Sequence, residues 1–437
     1  MEPGSAGREP KAARGMRALA LIDGEHYAPV VRDALAEIPH DVVGALLVGG
    51  TEKLTGGDEY GVPLAADLEE ALSRFEPEVA VDVSDEPVLG PRERFRLASR
   101  LLALGIAYEG ADFSLRVPEY EPFDLPSLAV IGTGKRLGKT AVTGYTARLL
   151  ADERDLVVVS MGRGGPAEPQ VADLRPTVED LLELAREGAH AASDYLETAA
   201  LSGVPTIGCR RAGGGLAGVP WTSNVAAGVQ KALDREPDLV IFDGSGAAIP
   251  PVAARKRVLV SGAHQPPELV VGYLNAYRIL VSDLVVLTMA EDGTRHQELA
   301  EAVREVKDVP VVSTVLRPRP IEPVEGARVA FFTTADSSAI ELLAGHLRDE
   351  HGAAEVTISC NLSRREQLRE DVKRADADVF VVEIKAAAID VVARAAAERD
   401  IPVVFADNDV IAIEGEPDLD KELRALAETA QLEPVVS

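Results

Sequence analysis

Cysteine is nearly missing from this chain. Cys209 and Cys360 are the only two among 437 residues. So few thiols exclude a disulfide framework and an all-cysteine zinc site, and they fit a reducing, cytoplasmic setting. No run of about 18 consecutive apolar residues occurs, so no membrane span is expected. Positive charge is in the minority. Lys and Arg number 45 against 72 Asp and Glu, a net charge of −27, which argues against nonspecific nucleic-acid binding. Any polyanionic substrate would need local basic clusters that override this field. Within residues 17–125 no G-x-G-x-x-G appears, so no dinucleotide site is argued there. No HxxxH or Cys/His cluster marks zinc or iron, and no G-x-S-x-G marks a covalent nucleophile. Residues 1–16 are polar and lack an apolar core segment, so a disordered arm is expected there rather than a secretory signal, with Met16 as an alternative start.

What the chain does have is an ordinary apolar fraction of 46% and a length suited to two or three domains. Its most informative stretch is Ser127–Gly144, SLAVIGTGKRLGKTAVTG. The run Leu128–Ile131 reads as a buried strand, a glycine turn follows, and Lys139-Thr140 opens a helix. Strand, glycine loop and helix are the context of a phosphate-binding P-loop. Glycines let successive N–H groups turn inward on phosphate oxygens, and the helix start adds partial positive charge. The expected nucleotide-binding set is Gly132, Thr133, Gly134, Lys135, Arg136, Leu137, Gly138, Lys139 and Thr140. Lys139 would reach the β- and γ-phosphates, and the Thr140 hydroxyl would sit on Mg²⁺. Gly132 lies one residue earlier than the usual spacing, so this loop is one residue longer. That variant resembles the loop of dethiobiotin synthetase and related ATP-dependent ligases.

Around this core the expected organisation is an N-terminal α/β domain over 17–118, a P-loop domain over 127–315 and a C-terminal α/β domain over 326–437. The fold class is α/β, a central, mostly parallel P-loop NTPase-like sheet with two smaller Rossmann-like domains. The proline-bearing stretches Arg116–Pro126 and Leu316–Glu325 read as linkers. In the first domain, strands at Ala18–Ile22, Val42–Val48 and Val79–Val83 place Asp23, His26, Gly49, Gly50, Ser84 and Asp85 at strand carboxyl ends, where such sheets take ligands. Turn chemistry and a surface imidazole explain Asp23 and His26 equally well. In the second, Leu156–Ser160 leads into a glycine-rich turn carrying Arg163, a candidate phosphate contact. Arg210 and Arg211 stand beside Gly213-Gly214-Gly215, an arrangement suited to an anion or to a flexible surface loop. Trp221 more often packs than binds. Leu239–Asp243 ends in an acid, a Walker B pattern in which Asp243 would hold Mg²⁺ directly or through water. Arg255-Lys256-Arg257, followed by His264, is a second basic run, either a substrate contact or a solvated face. The strand Leu284–Leu287 ends at Thr288–Glu291, a position that in this fold commonly lines the base pocket.

The order of the segments ALIDGEHY, IGTGKRLGKTAVTG, SMGRGGPAEP, GCRRAGGGLAG, FDGSGAAIPPV and SGAHQP resembles the cyclic 2,3-diphosphoglycerate synthetase family, over most of the chain from Arg17 onward. The resemblance implies an ATP-dependent ligase that closes 2,3-bisphosphoglycerate into a cyclic phosphoanhydride. Lys139, Arg163 and Asp243 are the expected catalytic residues, and Thr140 and Asp243 the metal ligands. Arg163, Arg210, Arg211, Arg255, Lys256 and His264 are the expected substrate contacts. ATP and Mg²⁺ are the expected cofactors, with K⁺ as a further candidate. The expected partners are a small anionic substrate and a second copy in a homodimer, with neither nucleic acid nor membrane. Two other readings stay open from the residues alone. One is a dethiobiotin-synthetase-like ligase on another anionic small molecule. The other is a nucleotide-dependent regulator or metallochaperone without ligase turnover, which the missing metal-ligand cluster disfavours.

Overall fold

The computed structural model describes residues 15–49, 60–173, 175–186, 193–385 and 388–432. Most of the expected arm, and Gly50, lie outside them. Contacts divide the chain into two units, Met1–Pro118 with Gly272–Leu280, and Glu119–Val271 with Val281–Ser437.

The first unit is built on strands β1 (Arg17–Asp23), β2 (Asp41–Gly49), β3 (Leu64–Ala65), β4 (Val79–Asp82), β5 (Ala107–Gly110) and β6 (Phe113–Leu115). They lie in the order β3-β2-β1-β4-β5-β6, parallel except for the β5–β6 pair. Ala18 to Ile22 are fully buried. That is why β1 reads as an unbroken apolar run, as a strand covered on both faces does. The helix Leu68–Phe75 starts where the Asp67 side chain accepts the Glu70 N–H, and it buries Leu68, Ala71 and Phe75. Phe75 lies flat on Gly44, where an added Cβ would come within 2.3 Å of the ring.

The second unit carries β7 (Ser127–Gly132), β8 (Leu156–Gly162), β9 (Gln170–Ala172), β10 (Thr206–Ala212), β11 (Thr222–Ser223), β12 (Leu239–Asp243), β13 (Lys256–Gly262), β14 (Leu284–Thr288), β15 (Val311–Pro320), β16 (Arg328–Phe332), β17 (Glu355–Ser359), β18 (Val379–Glu383) and β19 (Val403–Ala412). One hydrogen-bonded sheet runs β11-β10-β8-β12-β7-β13-β14-β15-β19-β18-β16-β17, with β9 beside β10. From β10 to β15 it is parallel, as it is from β19 to β17. The two parallel stretches meet where β15 pairs antiparallel with β19.

That junction corrects the expectation of a linker over Leu316–Glu325. Residues 316–320 are strand. β14 pairs only with Val311–Ser313, so beyond that point β15 has one hydrogen-bonded neighbour. Ser313 and Ile321 bond toward the β19 side. By the two-residue alternation of a strand, Pro318 and Pro320 face away from β19 and remove no ladder bond. The C-terminal helix Leu419–Leu432 also packs Leu419, Leu423, Ala427 and Ala430 into the same core as Leu128, Val130 and Val258.

Charge holds the junction as well. Asp407 on β19 is 2% exposed and pairs with Arg148 of the helix Lys139–Ala151 and, at 3.1 Å, with Arg319 of β15. Asp409 lies 3.5 Å from Arg148 and 3.3 Å from Arg319. Burial, and then the neighbouring Arg319, push the Arg148 guanidinium down to about 10. Removing the shared carboxylate leaves two partly buried cations with Asp409 as their one carboxylate. Asp407→Ala is expected to lower the unfolding free energy by about 3–5 kcal/mol in urea denaturation. A loss below about 1 kcal/mol, the scale of a surface pair, would show that the network does not hold the junction.

Candidate active site

The turn from Gly132 to Lys139 is shaped by the strands beneath it. Gly138, with φ of 76°, adopts the left-handed region, and an added Cβ there would meet Leu316 at 2.8 Å and Thr288 at 3.2 Å. Leu137 is buried, and its carbonyl accepts the Thr288 hydroxyl at 2.6 Å. Thr133, in the lengthened part of the loop, donates its N–H to Val260 at 3.2 Å, and its hydroxyl lies 2.9 Å from Ser261 and 3.4 Å from the Gln265 amide oxygen. The loop is therefore tied to β13 and β14, which follow one another on one side of β7. It hands over to the thirteen-residue helix Lys139–Ala151, whose first N–H groups carry partial positive charge.

Asp243 ends β12, which lies between β7 and β8. It is 1% exposed. Lys139 Nζ donates to its Oδ1, Thr143 donates to the same oxygen at 2.8 Å, and Ser160 donates to Oδ2 at 3.4 Å. Burial pushes the Asp243 carboxyl up, while Lys139 and Thr143 pull the other way. Among the described residues no group of three or more His, Cys, Asp or Glu gathers to hold a metal. One carboxylate with nearby hydroxyls suits Mg²⁺, which takes few protein ligands and completes its shell with water and phosphate oxygens.

Two arginines join this end of the sheet. Arg211 Nη2 donates to the Ser245 carbonyl at 2.7 Å and reaches its hydroxyl at 3.3 Å, just past Asp243. Burial, and then the nearby Arg163, push the Arg211 guanidinium down, so the two cations share one neighbourhood. The turn bearing Arg163 packs tightly because it is glycine. A Cβ at Gly162 would meet the Asp194 carboxylate at 3.2 Å, and one at Gly165 would meet the Cys209 carbonyl at 2.0 Å. Arg210 is exposed, with its backbone N–H on Asn224 Oδ1 at 2.7 Å. His264 is exposed just beyond β13, its ring over Gly262, which also neighbours Leu137. It therefore lies at the P-loop end.

Arg255 and Lys256 do not. Lys256 begins β13 and pairs with Leu128, whereas the P-loop end is at Val260, paired with Gly132. Four residues of strand put them about 13 Å away along the sheet. Arg255 donates to the Ala430 carbonyl at 2.8 Å and to the Asp124 carbonyl, and Lys256 lies 3.9 Å from Asp283. The basic run holds the C-terminal helix and the Pro-rich segment rather than facing the phosphate loop. Glu291, past the end of β14, takes Arg317 through both oxygens at 2.7 and 3.0 Å. Trp221 does not pack, being 92% exposed.

Thr143, Ser160 and Ser245 were given no site role from the sequence, and Thr288, expected at the strand end that lines the base pocket, bonds the Leu137 carbonyl. Thr143 had a signal, since it stands four residues after Lys139 on the same helix face. Ser160 had one too, because it ends the apolar run of β8 as Asp243 ends that of β12, and the two stand in register. Nothing local marks Ser245 as the partner of Arg211.

A sequence profile described as "Cyclic 2,3-diphosphoglycerate synthetase, P-loop domain" matches residues 127–317. Profiles for the N-terminal and C-terminal domains of that synthetase match 17–116 and 320–409. The chain is 52% identical to a cyclic 2,3-diphosphoglycerate synthetase of Rubrobacter xylanophilus, over 95% of this chain and 98% of that one. It is 39% identical to the synthetase of Methanothermus fervidus, over 91% and 93%. Among solved structures, LpxK from Aquifex aeolicus in complex with ATP is 12% identical with a TM-score of 0.41, covering 72% of this chain and 90% of that one, a likeness too slight to carry weight. Three profiles in order and near full-length identity above a third decide the kinship: the chain belongs to the cyclic 2,3-diphosphoglycerate synthetase family.

Proposed function

We propose that the protein is an ATP-dependent ligase that closes 2,3-bisphosphoglycerate into cyclic 2,3-diphosphoglycerate, releasing ADP and phosphate. The observation that carries the chemistry is the Lys139–Asp243–Thr143 cluster at the foot of a preformed phosphate loop, with Arg163 and Arg211 at the same sheet end. Lys139 and the loop N–H groups hold the β- and γ-phosphates. Thr140 and Asp243 would hold Mg²⁺, which neutralises charge on the phosphates when bound.

One phosphate oxygen of the substrate attacks the γ-phosphorus in line, and the bond to ADP breaks. An oxygen of the second substrate phosphate then attacks the phosphorus next to the glycerate. That bond forms the ring anhydride, and orthophosphate leaves. Each negative charge on the two substrate phosphates repels its counterpart by about 4 kcal/mol at ~4 Å and an effective dielectric near 20. Arg163 and Arg211 oppose that repulsion and fix the attacking oxygen. Arg210 and His264 supply further contacts. K⁺ dependence, a homodimer and a cytoplasmic setting belong to the same reading. No helix among the described residues is long and apolar enough to cross a membrane.

Phosphorus NMR of the protein with ATP, Mg²⁺ and 2,3-bisphosphoglycerate is expected to show both monoester signals replaced by an upfield anhydride pair, with ADP and phosphate in equal amounts. ATP loss without that pair would overturn the cyclising step. Lys139→Ala is expected to cut kcat by at least about 10²-fold, and near-normal turnover would sink the scheme. Arg211→Ala should raise KM for the bisphosphate by about tenfold, with a smaller change in kcat. Arg255→Ala should leave both within about twofold and lower the melting temperature instead, as expected of a residue tied to Ala430 and Asp124.

A further inference from the structure

A phosphate loop grips only what all nucleotides share. The base is what separates one from another, and the second unit places an ion pair where a base would be met. Gly138 ends the loop with Thr288 of β14 and Leu316 of β15 packed against it. Glu291 lies three residues past Thr288, and Arg317 follows Leu316 directly. Both therefore stand at the loop end of two adjacent parallel strands, where open α/β sheets take ligands.

Their geometry is a closed fork. Arg317 Nη1 donates to Glu291 Oε1 at 2.7 Å, and Nη2 donates to Oε2 at 3.0 Å. Nη1 also donates to the Leu316 carbonyl at 2.9 Å. The Arg317 side chain is 12% exposed and that of Glu291 is 42%, so the acid is the half that a ligand can reach. The backbone leading to it is fixed as well. Met289 adopts φ of 58°, a left-handed conformation that a non-glycine residue enters at a cost. The Ala290 N–H is tied to the Thr314 carbonyl at 2.9 Å. The Glu291 carbonyl accepts the Thr294 N–H at 3.0 Å and its hydroxyl at 2.8 Å.

The two purines ask different things of such an acid. Guanine carries two parallel donors, N1–H and the 2-amino group, which fit both oxygens of a free carboxylate at once. Adenine has an acceptor at N1, nothing at C2, and a single donor group, the 6-amino. A carboxylate whose two oxygens already face a guanidinium cannot take the guanine edge. It keeps a lone pair on the far side of each oxygen, enough for the one amino group of adenine. We propose that the Arg317–Glu291 pair sets the base preference of the nucleotide site: Arg317 fills the fork that guanine needs, so the site takes adenine nucleotides. The proposal rests on the reading of Gly132–Thr140 as the nucleotide loop.

Calorimetric titration of the full chain with ADP, GDP and IDP in the presence of Mg²⁺ tests it. Wild type is expected to bind ADP at least about tenfold tighter than GDP, the scale of one bidentate base contact. Arg317→Met opens the fork and keeps the apolar stem. It should tighten GDP by about tenfold while ADP stays within about threefold. IDP, which has N1–H and no 2-amino group, should gain less than GDP. Arg317→Lys keeps the cation but cannot span both oxygens. It should move the ratio the same way by a smaller factor, and it carries the test if the methionine variant melts early. Adding Glu291→Ala to either variant should abolish the gain. Equal binding of ADP and GDP by wild type, a ratio unchanged in both Arg317 variants, an equal gain for IDP and GDP, or a gain that survives Glu291→Ala overturns this assignment alone. If wild type binds neither ADP nor GDP, the nucleotide reading of the loop falls with it.

Discussion

The contact between Lys139 and Asp243 is the constraint on which the second unit depends. A carboxylate almost wholly out of water must be compensated, and its partners come from two elements: the first two turns of one helix and the strand β8. Placing those groups together requires β12 beside both β7 and β8, and it requires the loop to deliver Lys139 at the first residue of the helix. On the proposed reading, the same arrangement that satisfies a buried acid presents an ammonium and hydroxyls to a phosphate. Stability and chemistry draw on one set of atoms.

Everything else in that unit can be seen as support for this placement. β13 and β14 grip the loop through Ser261 and Thr288. The C-terminal helix packs on β7 in the same core as the helix Lys139–Ala151. The β15–β19 junction, with Asp407 between two arginines, continues the sheet into a second parallel stretch. Backbone ladder and buried charge act at the same seam, so the last third of the chain is part of the nucleotide-binding unit's structure.

The P-loop, the Walker B acid and the alternation of strands and helices were legible in the sequence because each has a local signature: a glycine spacing, an apolar run ending in an acid, a period. The basic run at 255–257 was not legible as structural support. Its charge pattern looks the same whether it faces an anion or a helix end, and only the register of β13 separates the two. The prolines of 316–325 misled for a related reason. Proline forbids a strand only on a hydrogen-bonded side, and which side that is depends on a partner some 90 residues later. Arg211 was found from composition, but its tie to Ser245 was not, since nothing in the sequence says that β10 and β12 end side by side across β8. Trp221 shows the limit of residue averages, since its neighbourhood is a glycine-rich turn with no core to enter.

The grip on Leu137 bears on turnover. Its side chain is buried, its carbonyl is held by Thr288, and Gly138 has room for nothing larger. A loop held this way has little freedom left to lose, so on the proposed reading ordering it costs an incoming nucleotide little. Exchange would then turn on the phosphates themselves, since losing one removes part of the charge that Lys139 and the helix start attract.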